Sequence, residues 1–99
     1  MNPAKSALVE TNDVIRRFIA GDRRAFDELY RLYAPSVLSF LAARTTSHQD
    51  AEDLLHTAWI KAQQNAGNFD GQNFRAWFFQ IARNTLFDFT KSPRTKSKA

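Results

Sequence analysis

The sequence predicts an all-α fold, a compact bundle of about four helices without a sheet. Three observations lead there. Apolar residues recur at spacings of three and four over long stretches, as one face of a helix requires. No run alternates apolar and polar residues, and the β-branched residues are scattered, so nothing reads as a strand. Strong capping and turn residues fall where those stretches begin and end.

The first ten or so residues, Met1 through Glu10, lack periodicity and contain Pro3 and Ser6, so residues 1–11 read as a flexible arm. A short first helix is expected from Thr11 or Asn12 to Gly21, burying Val14, Ile15, Phe18 and Ile19. Asp22 is the expected cap of a second, longer helix. Its apolar side is Phe26, Leu29, Tyr30, Tyr33, Val37, Phe40 and Leu41, with Arg23, Arg24, Asp27, Glu28 and Arg31 facing away. Pro35 lies within that pattern and predicts a kink or a local break. Ser47 caps a third helix over His48 to Gln64 with the stripe Ala51, Leu54, Leu55, Ala58, Trp59 and Ala62. Residues 65–71 are rich in turn formers and read as a loop. A fourth helix over Gln72 to Thr90 presents Phe74, Trp77, Phe78, Ile81, Thr85 and Phe89, and Ser92-Pro93 ends it. The helical domain therefore spans 12–91, and 92–99 is a basic tail.

Composition narrows the function. The chain has 99 residues, enough for one domain. It has no cysteine, which excludes disulfides and thiolate metal sites. Neither a secretory signal nor a membrane-length apolar run is visible, so the protein reads as soluble and cytoplasmic, with no membrane partner. The net charge is +4, yet the whole excess sits on Lys91, Arg94, Lys96 and Lys98. The preceding residues are neutral overall, and Asp50, Glu52 and Asp53 form an acidic cluster in the middle of the chain. Such polarity suits a polyanion on one side and a different partner elsewhere.

The informative residues are those the core does not use. With about 100° per residue, Arg75, Phe79 and Arg83 form one row on the fourth helix, with Phe87 at the next turn and Gln80 and Asn84 alongside. Arginines interleaved with phenylalanines can hold phosphates while bases stack, and Arg, Gln and Asn can pair with base edges. The plainer alternative is that Phe79 and Phe87 pack under the arm or against a neighbouring helix. Phe69 in the preceding loop is either a stacking wall for a base turned out of a duplex or a plug on the core. The third helix carries Asp53, His56, Thr57 and Ile60 on its outer face, a pattern closer to a protein docking surface. Asp53-Leu54-Leu55-His56 has the acid-x-x-His spacing of carboxylate metal sites, but the second such pair those sites need is missing. No nucleophile set and no phosphate-cradling glycine loop is present, so neither an enzyme nor a bound cofactor or metal is expected.

Four fragments, in order, carry a family resemblance. They are Gly21-Asp22-Arg23-Arg24-Ala25-Phe26-Asp27-Glu28-Leu29-Tyr30 followed by Tyr33-Ala34-Pro35; Asp50-Ala51-Glu52-Asp53-Leu54; Ala58-Trp59-Ile60-Lys61-Ala62; and Phe69-Asp70-Gly71 leading into Phe74-Arg75-Ala76-Trp77-Phe78-Phe79-Gln80-Ile81-Ala82-Arg83-Asn84. Together they resemble the N-terminal sigma-2 domain of extracytoplasmic-function sigma factors, members of the sigma-70 family. The resemblance implies that Asp53, His56, Thr57 and Ile60 dock on the β′ clamp helices of core RNA polymerase. It further implies that Lys61, Asn65, Phe69, Phe79, Gln80, Arg83 and Asn84 engage the minus-ten promoter element, separate its strands and hold a flipped non-template base; Arg75 joins them through its row. An anti-sigma factor is a further partner such a domain implies.

The chain departs from the family in three places. His56-Thr57 stands where Gln-Glu is common, Asn65-Ala66-Gly67 where Ala-Leu-Asp is usual, and Gln80 where a basic residue is frequent. The first bears on docking, the second on base preference and the third on phosphate attraction. The family's second domain, a helix-turn-helix reading the minus-thirty-five element, has no counterpart in these 99 residues, which leaves open whether the chain is a piece of a longer protein. The competing reading is a helical interaction module whose exposed Ile60, Phe79 and Phe87 contact another protein without touching DNA.

Overall fold

The computed structural model describes residues 12–91, and within them the fold is all α-helix. The helices are α1 (Asn12–Ile19), α2 (Arg23–Ala42), α3 (His48–Gln64) and α4 (Phe74–Lys91), with one 3₁₀ turn, Ala66–Asn68, between the last two. The predicted arm, apart from its boundary with α1, and the predicted basic tail lie outside the described residues. None of the described helices is long and apolar enough to cross a membrane.

The α1–α2 corner forms for local reasons. Gly21 takes φ +91°, a conformation open to a residue without a Cβ. The Asp22 amide then donates to the Arg17 carbonyl at 2.8 Å and the Gly21 amide to the Phe18 carbonyl at 3.0 Å, closing α1 with a Schellman motif. Asp22 immediately caps α2, its Oδ1 accepting from the Arg24 amide at 2.9 Å. That bond, reinforced by Arg17, holds the Asp22 carboxyl below the usual carboxylate range. The Arg17 guanidinium also donates to Asp13 at 2.9 Å and to Glu28 at 3.5 Å, so one side chain ties both helices to their corner.

Helix α2 runs without interruption through Pro35, so the local break expected there does not occur. Pro35 is exposed, which puts its ring on the solvent side of α2, away from the core contacts that hold the helix. Ser47 caps α3 as expected, accepting from the Asp50 amide at 3.3 Å.

Helix α3 is the centre of the bundle and packs against both α2 and α4. Its buried residues include Ala51, Ala58 and Ala62, all without measurable exposure, and these small side chains let the neighbouring helices approach closely. The rest of the core is aromatic. Phe18 is fully buried and meets Phe26, Phe74, Phe69 and Trp77 edge-on, with ring centroids 5.0, 5.1, 6.3 and 5.8 Å away.

The predicted stripes need one correction. On α2, Phe26, Tyr30, Tyr33 and Phe40 are only half-buried, and Ala25 and Ala34 lie deeper. On α4 the core takes Ala82 and Leu86, whereas Trp77, Ile81 and Phe89 sit at its margin. In a bundle this small a large ring is hard to cover on every side, and the closest helix contacts go to small residues.

Two measurements check this account. Phe18→Ala should cost about 3–5 kcal/mol in urea unfolding, because its cavity would open among rings from several elements. Asp22 has a lowered folded-state pKa, so its stabilisation is present above its ordinary value of about 3.9 and is lost as pH falls through the folded value. Asp22→Asn keeps a capping side chain, and its unfolding midpoint should therefore fall less steeply on acidification below that value than the unmodified chain's does.

Candidate nucleic-acid interface

The start of α4 is set by a short, bonded loop. The Asn68 amide donates to the Asn65 carbonyl at 2.9 Å and the Phe69 amide to the Ala66 carbonyl at 3.1 Å. Asp70 Oδ1 accepts from the Gln72 amide at 2.9 Å, an Asx turn, and Gly71 follows the curve at φ +85°. Asn73 then adopts φ +45°, which asparagine tolerates better than most residues, and its Oδ1 accepts from the Ala76 amide at 3.1 Å. Asn73 is thus the helix cap, and α4 begins at Phe74, two residues later than the sequence suggested.

Phe69 is buried at 4% exposure, with Trp77 4.8 Å and Phe74 5.6 Å away between ring centroids. Its ring occupies the core, the plainer of the two roles the sequence allowed, and it pins the middle of the loop. Asn65 stays exposed at the end of α3, its Nδ2 donating to the Lys61 carbonyl at 2.8 Å and its Oδ1 accepting weakly from Asn68.

The predicted α4 residues come together on one side of the helix, with two distinct flanks. Toward α2, the Phe79 ring is half-buried and meets the Phe40 ring edge-on at 5.7 Å. Phe79 therefore does pack on a neighbouring helix. Its outer surface carries the Arg75 guanidinium, 4.8 Å from the ring centroid. Arg44, just past α2, lies 4.0 Å over Phe40, which completes a cation–ring–ring–cation ladder. Arg44 was not singled out by its sequence context, because nothing local marks a residue whose partner lies on a distant helix.

Toward α3, Lys61 Nζ donates to the buried Thr85 hydroxyl at 3.4 Å and approaches Asp88 at 4.0 Å, so this lysine straddles the α3–α4 seam. Between the flanks, Gln80 and Asn84 are exposed, Gln80 Nε2 donating to Asn84 Oδ1 at 3.2 Å. Phe87 is 59% exposed with the Lys91 ammonium 4.6 Å over its ring. Among the described residues Arg75, Arg83 and Arg44 have no acidic partner, as is also true of Arg23, Arg24 and Arg31 on α2, whereas Arg16, Arg17 and Lys61 do.

The outer face of α3 is separate and different. Asp53, His56, Thr57 and Ile60 are all exposed there, and Ile60 keeps 39% of its surface in water. Asp53 accepts from Gln49 at 3.0 Å, and His48 pairs with Glu52 at 3.2 Å. No group of three or more potential metal ligands is found among the described residues.

One helix thus carries guanidiniums without acidic partners, amides and rings, and another carries an acidic and apolar face. The chain belongs to the sigma-70 region 2 family. That family matches residues 29–95. The chain is also 34% identical to the extracytoplasmic-function (ECF) RNA polymerase sigma factor BldN of Streptomyces coelicolor, covering 92% of this chain and 35% of that protein. It is 35% identical to the RNA polymerase sigma-H factor of Pseudomonas aeruginosa (77% of this chain, 40% of that protein). It is 34% identical to the ECF sigma factor SigM of Bacillus subtilis (66% and 40%). The chain thus spans about two fifths or less of these relatives' lengths. No solved structure matches it significantly.

The contrast between the two loop and helix rings is directly measurable. Phe69→Ala should cost about 3–5 kcal/mol of stability by chemical denaturation. Phe87→Ala, a change on the exposed side, should shift it by no more than about 0.5 kcal/mol.

Proposed function

We propose that this chain is the promoter-opening module of an RNA polymerase sigma factor: it docks on core polymerase through α3 and engages the non-template strand of the minus-ten element through α4. The observation that carries this reading is the solvent side of α4, where Arg75 and Arg83 have no acidic partner and flank Gln80, Asn84 and two rings. Cations without internal acidic partners keep their charge available to phosphates, and each phosphate neutralised releases counterions. Exposed amides can read base edges.

In this reading the strands separate without covalent chemistry. Unstacking costs a few kcal/mol per step, offset by capture of the freed base and its backbone. Arg75 and Arg83 hold phosphates, and Gln80 and Asn84 supply base-edge contacts. Phe79 offers only part of its ring, because Phe40 and Arg75 both pack against it. Lys61 and Asn65 border the loop that receives the turned-out base, and the buried Phe69 acts by fixing that loop. Asp53, His56, Thr57 and Ile60 form the docking face toward the β′ clamp helices, an apolar centre within a polar rim. An anti-sigma factor covering either face would block one of the two functions.

The two faces should be separable by mutation. With a forked DNA enriched by this chain from a randomised pool, Asn84→Ala should weaken binding by about 1–3 kcal/mol while leaving association with core polymerase intact. Ile60→Asp should reduce polymerase association about tenfold or more and spare the DNA. A pool that yields no enriched sequence, or variants that damage both activities equally, would refute the reading.

A further inference from the structure

At the end of α4 away from the loop, the residues just after α2 come alongside the last turns of α4. A groove of about 520 Å³ opens there, lined by Arg44, Arg83, Asn84, Leu86, Phe87 and Thr90. Its size falls within the range of about 300–1,000 Å³ common to small-ligand sites. Its lining contains two guanidiniums, an amide, a hydroxyl and a largely exposed ring, and no acid. The acid nearest in sequence, Asp88, is directed toward Lys61 on the α3 side.

Arg44 is held in place before any ligand arrives. Its Nη1 donates to the Phe40 carbonyl at 3.0 Å while the guanidinium lies on the Phe40 ring. Those contacts use one donor and one face, leaving other N–H groups toward the groove. Arg83 faces it from α4 without an ion pair among the described residues. Two guanidiniums lining one groove match a phosphodiester in charge, and each can offer paired donors to it. The groove also continues the Arg75–Phe79–Arg83 row, so a strand following α4 reaches it without changing direction.

We propose that this groove is a nucleotide subsite for promoter DNA, in which Arg44 and Arg83 clasp one backbone phosphate and the adjoining base or sugar lies against Phe87. The inference rests on the reading of α4 as the DNA-facing helix. It extends that surface across to the α2–α3 connection, through a residue outside α4 and its loop.

The test uses the 99-residue chain and the pool-enriched forked DNA over a range of salt concentrations. Arg44→Ala should lower affinity about tenfold and reduce the salt slope by roughly 0.7–0.9, the value of one phosphate contact. Arg44→Lys should recover most of the slope. A scan of single methylphosphonate linkages should find one position at which the Arg44→Ala penalty disappears.

If Arg44→Ala keeps full affinity and slope while Asn84→Ala binds weakly, the groove proposal is overturned and the reading of α4 stands. If both variants bind as the unmodified chain does, both fail. A penalty that persists at every methylphosphonate position would also overturn the proposal, as would Arg44-dependent saturation by a free nucleoside monophosphate at micromolar concentration. Should Arg44→Ala unfold, Arg44→Gln takes its place in the salt series and in the methylphosphonate scan, with the same outcomes deciding the question.

Discussion

The packing of this domain depends on one ring. Helix α1 has eight residues, far too few to persist alone. It stays because Phe18 inserts among rings contributed by α2, α3, α4 and the connecting loop. The Arg17 contacts and the Schellman corner set the angle at which that ring enters. Phe69 and Phe74 touch Phe18 directly, so the loop and the first turn of α4 are referenced to α1 as well as to one another.

From this centre the two exposed surfaces diverge. Helix α3 lies between α2 and α4 with alanines at its closest contacts, and its outer side remains free for Asp53, His56, Thr57 and Ile60. Helix α4 has different neighbours on its two flanks. Against α2 it makes the ladder from Arg75 to Arg44, and against α3 it is joined through Lys61 and Thr85. Charge follows the same division: acids and the isoleucine on α3, unpaired arginines and amides on α4. The two helices that carry these faces pack directly on each other, so each face is placed relative to the other.

Much of this was legible before the fold was known, and the reasons differ by element. Helix existence followed from periodicity, and Gly21, Asp22 and Ser47 marked corners because their chemistry acts within a few residues of themselves. Asn73 lies inside the helix that the sequence suggests, and only its backbone angle and its bond to the Ala76 amide mark it as the cap. Pro35 suggested a break, yet its exposed position on a well-packed helix left α2 continuous. The row on α4 was visible as a row, but not its ties to Phe40 and Arg44, since contacts between distant segments leave no local trace. Phe69 remained ambiguous in the sequence for the same reason, and its burial depends on rings from α1 and α4.

The loop between α3 and α4 divides its positions between those that hold the fold and those that do not. Ala66, Phe69 and Phe74 are buried, while Asn65, Gly67, Asn68, Asp70, Gln72 and Asn73 are exposed between and beside them. The anchors carry the fold, and several exposed positions support it through hydrogen bonds. Asp70, Gly71 and Asn73 shape the turn, and Asn65 and Asn68 bond at the end of α3, which leaves Gly67 and the Gln72 side chain as the freest positions. Change at those two positions would therefore leave the buried anchors and the bonded turn in place, and the frame is indifferent to what stands there.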